Sequence, residues 1–307
     1  MVLGDQLIDL CLNWDEKYRG KYVQKNVCHP SAERSGIDKE LSTLRITKKD
    51  IDSFIVTFSD MWKTYSEQEK PEYSHKLLRA EYGMFISAMI QRAYNLHEND
   101  FYIDMSKYVE NKRGDLRLSG HEYISSDIQF VASNLKGSQE NPMKITLIGE
   151  GYWVSGSKIQ NVHLTFEGDV SAANAEKVKN SKVIFRGSSG LACGINSKHS
   201  EFEFHGPVVP GAGIDMKHCK ISAPSEEILN YLMQMYSAKR RKDNDKYNEG
   251  FGKYDMRKYS YNYKFRPAKY PRTLIDKINY FTNEYFLIED GKKIPYSKWT
   301  KFKHRKN

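Results

Sequence analysis

Between Lys239 and Arg272 the chain carries 12 Lys and Arg, 4 Asp and Glu and 8 aromatic residues. The segment opens on Lys239-Arg240-Arg241-Lys242 and continues through Arg257, Lys258, Lys264 and Arg266, with Tyr259, Tyr261 and Tyr263 interleaved. Cations at this density neutralise phosphates and release their counterions, while aromatic faces stack on unpaired bases. The chemistry implied is polyanion recognition. Single-stranded RNA or a nucleoprotein suits it better than duplex DNA, for which no recognition helix is visible. A second reading stays open: Tyr259, Tyr261, Tyr263 and Phe265 alternate, as in a strand laid back on the rest of the protein with its lysines solvated.

Other chemistry is weakly signalled. No phosphate-binding GxxxxGK[ST], dinucleotide GxGxxG, HExxH or GxSxG motif occurs. Cys11, Cys28, Cys193 and Cys219 are scattered without a CxxC pair, which points to reduced thiols and to neither a disulfide framework nor a structural zinc site. His163, His199, His205 and His218 invite a metal reading, but two imidazoles in register do not make a transition-metal site. No cofactor or metal is expected. Glu150, Glu167, Asp169 and Glu203 cluster near recurrent glycines and are the acidic residues that a carbohydrate-active enzyme would need.

The elements that must position these groups come from an internal repeat. Ile145–Gly149, Leu164–Gly168, Val183–Gly187 and Phe202–Gly206 each read apolar-x-apolar-x-Gly, and their glycines recur with a constant period of 19. Period-two alternation marks a short strand with one face buried, and the glycine permits a turn that a side chain would obstruct. Such strands stack in parallel, one repeat above the next. Leu116–Gly120 has the same form and predicts an additional upstream repeat. Stacking also predicts columns: Ile159, Val178 and Met216 apolar; Asn161, Asn180, His199 and His218 a hydrogen-bonding ladder. Gly156, Ala175, Gly194 and Gly213 form a small-residue corner. Gln160, Lys179, Lys198 and Lys217 face solvent.

The fold class expected is mainly β with α-helical additions: a single-stranded, right-handed parallel β-helix or β-solenoid of five to six coils. A period of 19 does not fit hexapeptide helices, and Glu167 and Arg186 stand where a leucine-rich repeat needs Asn. The expected organisation is a helical region over 1–110, the solenoid over 111–223, and a C-terminal region over 224–307. Helices are predicted over 47–67 and 71–96, forming a hairpin, with a linker or loop over 17–46. Pro224 opens a capping helix with Ile228, Leu229, Leu232, Met235 and Tyr236 on one face. A last helix over 274–285 and a hairpin at Asp290-Gly291 follow.

Net charge is +9, yet positions 239–307 hold 20 Lys and Arg against 8 Asp and Glu, so everything before Lys239 is net negative. Mean hydropathy is −0.70 and no apolar run has membrane length. Asp5 and Asp9 interrupt the first apolar stretch, unlike a secretory signal, so a cytoplasmic location without membrane contact is expected.

The expected architecture over about residues 111–223 resembles in general shape β-solenoid proteins such as bactofilins, which polymerise end to end. The resemblance transfers no functional residue, and helices on both sides would cover such ends. The function expected is a non-catalytic interaction or scaffold protein, its basic aromatic arm contacting RNA, a nucleoprotein or another polyanionic partner. A carbohydrate-active lyase or hydrolase is the alternative; self-association through the solenoid is a further one.

Overall fold

The computed structural model describes residues 6–13, 30–68, 74–106, 128–171, 174–190, 193–208, 212–213, 216–233, 235–240, 263–268 and 282–296. The helices before the sheet are α1 (6–13), α2 (Pro30–Leu41), α3 (Lys48–Gln68) and α4 (Ser74–Asn95). Strands β1 (Asp100–Asp104), β2 (Ile128–Gln129), β3 (Met143–Ile148), β4 (Tyr152–Trp153), β5 (Val162–Phe166), β6 (Lys182–Phe185), β7 (Glu201–Phe204) and β8 (Lys220–Ala223) follow. Helix α5 (Glu226–Met233) precedes β9 (Met235–Arg240), β10 (Tyr263–Ala268), β11 (Glu284–Glu289) and β12 (Lys292–Pro295). The fold is of the α/β class with a strand-rich core: one eight-stranded, mostly parallel sheet ordered β1-β3-β5-β6-β7-β8-β11-β12. Among the described residues, no helix is long and apolar enough to cross a membrane.

From β3 to β8 the register advances by one repeat per strand, so Ile145, Leu164, Val183, Phe202 and Ile221 are successive partners. Two further rows of parallel bridges run outside the sheet, Gln160–Lys179–Lys198–Lys217 and Val170–Ser189–Val208. Each inward residue therefore meets its own counterpart one strand away. Phe166 stacks on Phe185 at 5.2 Å between centroids, and Phe185 on Phe204 at 5.1 Å, close to the ~4.8 Å spacing of paired strands. The apolar column Ile159, Val178, Met216 is buried. Its exception, Ser197, is also buried; its hydroxyl accepts from the Val178 N–H and donates to the Ala175 carbonyl.

The columns have a backbone cause that differs from the expected one in two places. Asn161, Asn180, His199 and His218 share φ between 47° and 54°, so Asn and His recur there because they tolerate the left-handed region, not because a hydrogen-bonding ladder requires them. The imidazoles of His199 and His218 stack, with centroids 5.0 Å apart. Of the recurrent glycines, Gly149 alone has a positive φ; Gly168, Gly187 and Gly206 are instead required by close approach. A Cβ on Gly187 would lie 2.6 Å from the Gly168 carbonyl carbon and 2.7 Å from the Asp169 nitrogen. The small-residue corner does need unusual φ: Gly156, Ala175, Gly194 and Gly213 lie between 55° and 75°.

Both ends of the sheet are closed by segments whose periodicity lies outside the repeat. The place beside β3 is taken by β1, pairing Phe101 with Ile145 and Ile103 with Leu147, and not by Leu116–Gly120, which lies outside the described residues. Lys136 bridges Gln160 across a longer interval than the repeat, because the segment 138–142 is inserted before β3. At the far end Tyr285 pairs with Ile221, so Tyr285 is a strand residue and not part of a helix; 274–281 lie outside the described residues. The predicted hairpin is present, with Asp290 and Gly291 at φ 47° and 72° between β11 and β12. Asn283, buried, locks it on: its side chain accepts from the Cys219 N–H and donates to the Met216 carbonyl.

The helices pack against the upstream strands, α3 on β1 and α4 on β2. A single buried cluster runs from Leu7 through the helices and strands to Tyr285. Residues 82–90 of α4 are buried without a break, so this stretch of the helix is packed on every side. Phe58 of α3 stacks on Tyr82 at 3.8 Å, joining the expected pair of helices. Polar residues at 87, 91 and 94 of α4 satisfy the backbone of the first repeat. Ser87 Oγ donates to the Phe130 carbonyl, Gln91 exchanges two hydrogen bonds with the Lys136 backbone, and Tyr94 OH donates to the Asn141 carbonyl. Pro30–Leu41, expected as loop, is helical. Pro opens it, where a missing N–H costs nothing, and Arg34 anchors it. That guanidinium, 4% exposed, donates to Asp38 and to the carbonyls of Ser133 and Ser87.

Gly187→Ala is expected to lower stability by about 2–4 kcal/mol, because backbone on the facing strand must move. Gly291→Ala, with nothing within 4 Å but φ at +72°, is expected to cost about 1 kcal/mol. Urea midpoints of the two variants measure the difference, and equal losses would contradict the close approach.

Candidate functional site

The basic arm enters the structure through a two-stranded antiparallel ribbon. β9 pairs with β10, setting Lys239 opposite Lys264, Arg240 opposite Tyr263 and Ser237 opposite Arg266. Met235 and Tyr236 therefore belong to β9 and not to the preceding helix, which ends at Met233. Lys239, Arg240, Tyr263, Lys264 and Arg266 are thus brought together by backbone pairing. Arg241, Lys242, Arg257, Lys258, Tyr259 and Tyr261 lie outside the described residues. The strand reading of the alternation holds for Tyr263 and Phe265, but their partner is β9 and not the eight-stranded sheet. Rungs alternate, so Lys239, Lys264 and Arg266 belong to one set, while Tyr236, Arg240, Tyr263 and Phe265 belong to the other.

A second cationic surface was visible in the sequence only as a solvent-facing row. Lys136, Lys158, Lys177, Lys179, Lys198 and Lys217 line a shallow groove of about 810 Å³, together with Asn134, Gln160 and Asn196. Consecutive bridges fix Lys136, Gln160, Lys179, Lys198 and Lys217 in one column. Lys177 is paired with Glu176 at 2.5 Å. Lys179, Lys198 and Lys217 have no acidic partner among the described residues. The signal in the sequence was lysine recurring once per repeat, which becomes a surface only once strands are stacked.

The outer face of the sheet is also charged, but there the charges cancel. Glu203, 7% exposed, meets Lys182 Nζ at 2.7 Å, Lys293 Nζ at 2.9 Å and His205 Nε2 at 3.2 Å. Lys293 also reaches Glu201, so β12 is tied across the face to β7. Burial alone would raise the Glu203 pKa; hydrogen bonds and charge from Lys182 and His205 outweigh it and hold the carboxyl below its ordinary value. An ionised, fully engaged carboxylate is a poor general acid. Asp169 is likewise occupied, accepting from the Ser188 N–H at 2.7 Å. The four carboxylates named as possible catalytic groups thus include two with evident structural work. Cys11, Cys193 and Cys219 are buried and form no disulfide among the described residues, and burial pushes the thiols of Cys193 up to about 12 and of Cys219 to about 11.

No protein-family model, curated protein or solved structure matches this chain.

Replacing Glu203 by Gln tests the ionic tie. A depressed folded-state pKa stabilises above the ordinary glutamate value of 4.5 and loses that stabilisation as pH falls through the folded value. The variant is expected to be less stable at pH 7 by about 1–2 kcal/mol, with the gap closing as pH falls below 4.5 and through the folded value. Urea unfolding at pH 7 and at low pH measures it; a gap of equal size at low pH would rule out the carboxylate's charge as its origin.

Proposed function

We propose that the chain is a non-catalytic scaffold: a right-handed β-solenoid of five to six coils, one repeat to each, whose C-terminal basic aromatic arm contacts single-stranded RNA, free or within a nucleoprotein. Three parallel bridge rows advancing by one repeat support the solenoid reading, since a constant step in all three requires the whole repeat to be superposed. The observation that carries the functional reading is the β9–β10 register. It sets Lys239 opposite Lys264 with Arg240 and Arg266 on nearby rungs, and like charges directly opposite destabilise a ribbon unless an anion lies between them. Tyr263 and Phe265 on the alternate rungs provide rings for unpaired bases.

The catalytic alternative draws no comparable support, because Glu203 is neutralised by two lysines. End-to-end assembly is discouraged by the outermost strand, β12, whose Lys292, Lys293 and Pro295 are residues that protect edges from pairing.

Fluorescence anisotropy with a single-stranded RNA of about 20 nucleotides tests the arm. Lys239→Gln/Arg240→Gln/Lys264→Gln/Arg266→Gln is expected to reduce the slope of log affinity against log salt by about 2–3. Undiminished binding by that variant, or binding insensitive to salt, would remove the reading.

A further inference from the structure

We infer that the lysine column on the repeat is a second, separate binding surface, which takes the phosphate backbone of a base-paired nucleic acid without reading its sequence. The site is the groove lined by Lys136, Lys158, Lys179, Lys198 and Lys217, with Asn134, Gln160 and Asn196 between them. Its nucleic-acid identity rests on the reading above; its existence as an anion surface does not.

Like charges in one stacked column repel. Lys179, Lys198 and Lys217 recur at the parallel-strand spacing of ~4.8 Å. On the outer face of the sheet the same stacking has been neutralised within the molecule, with Lys182 and Lys293 against Glu201 and Glu203. Lys177 of the same groove is paired with Glu176, but Lys179, Lys198 and Lys217 lack such partners among the described residues, so an anion from outside them would supply the compensating charge. From Lys179 to Lys217 is two steps, about 10 Å, and from Lys136 to Lys217 four steps, about 19 Å. One duplex strand presents a charge every ~3.4 Å of axis, so the inner stretch of about 10 Å faces about three phosphates.

The lining decides between kinds of nucleic acid. Among the described residues no aromatic side chain lines the groove, so unpaired bases find no stacking platform there. Arg, the usual reader of guanine edges, is absent from the lining among the described residues, and the surface is a ladder of bridged backbone segments and not a helix that enters a groove. Lysines acting as point charges, with amides donating to phosphate oxygens, fit backbone contact in a duplex. The two surfaces then divide the work: unpaired bases at the arm, paired segments at the column.

The test uses the full chain with Lys179→Gln/Lys198→Gln/Lys217→Gln. Gln160 already occupies this column, so glutamine fits the repeat. An RNA duplex of about 20 base pairs is titrated by anisotropy between about 50 and 200 mM salt. The variant is expected to bind the duplex at least tenfold more weakly at about 100 mM salt, with a slope lower by about 2–3, while binding single-stranded RNA as the wild type does. The arm variant should show the opposite pattern. Failure of the wild type to bind duplex, an unchanged slope in the triple variant, or stronger competition from an acidic polysaccharide than from duplex at equal charge would each overturn the inference. Retention of single-strand affinity by the arm variant would instead count against the arm alone.

Discussion

A backbone ladder that advances by one repeat along three separate rows governs this protein. Once each N–H and C=O is paired with the same position one repeat away, every side chain lies over its own counterpart. Burial, size and charge then become properties of columns. Phenylalanine rings stack at the strand spacing, glycine recurs where backbones nearly touch, and Asn or His recurs where φ is left-handed. A column cannot tolerate an isolated exception unless the newcomer brings its own hydrogen bonds, as buried Ser197 does.

A ladder of this kind leaves unpaired groups at both ends, and the two ends are closed by different means. Upstream, α4 lays Ser87, Gln91 and Tyr94 against the first repeat, and Gln91 exchanges two hydrogen bonds with Lys136 as a neighbouring strand would. Arg34 ties α2 to the same place by donating to the carbonyls of Ser87 and Ser133. Downstream, the chain returns as β11 and β12, with Asn283 filling the last backbone positions and Lys293 reaching back to the acidic pair on β7. One core spans helices and sheet as a result.

Charge follows the same geometry with two outcomes. Where Glu201 and Glu203 alternate with lysines on facing strands, the outer surface neutralises itself and strengthens the hairpin. Where lysine repeats at the same phase, stacking concentrates a single sign into a groove. The ribbon of β9 and β10 concentrates positive charge by a third route, antiparallel pairing of two distant basic segments. Positive charge thus gathers at two places of different structural origin in one chain.

Residue order alone carries the period, the strands from Ile145 to Ile221, their inward residues, the terminal hairpin and the two long helices. All of these are written within a few residues of one another or at a repeated interval. Which segment joins each end of the sheet is not written there: Leu116–Gly120 and Phe101–Ile103 both alternate, and only long-range competition for the edge of β3 selects β1. Nor does residue order reveal that residues 82–90 of α4 are buried on all sides, because that depends on what packs around them. The helix in 30–41 was hidden by Pro30, which reads as a break although it opens the helix, and by Gly36, whose local penalty is outweighed by Arg34's contacts with residues 53 and 99 positions away. Of the sites, the basic arm was legible as composition, whereas the lysine groove required the stack. Residues one repeat apart are strangers along the chain and neighbours only after the backbone has paired.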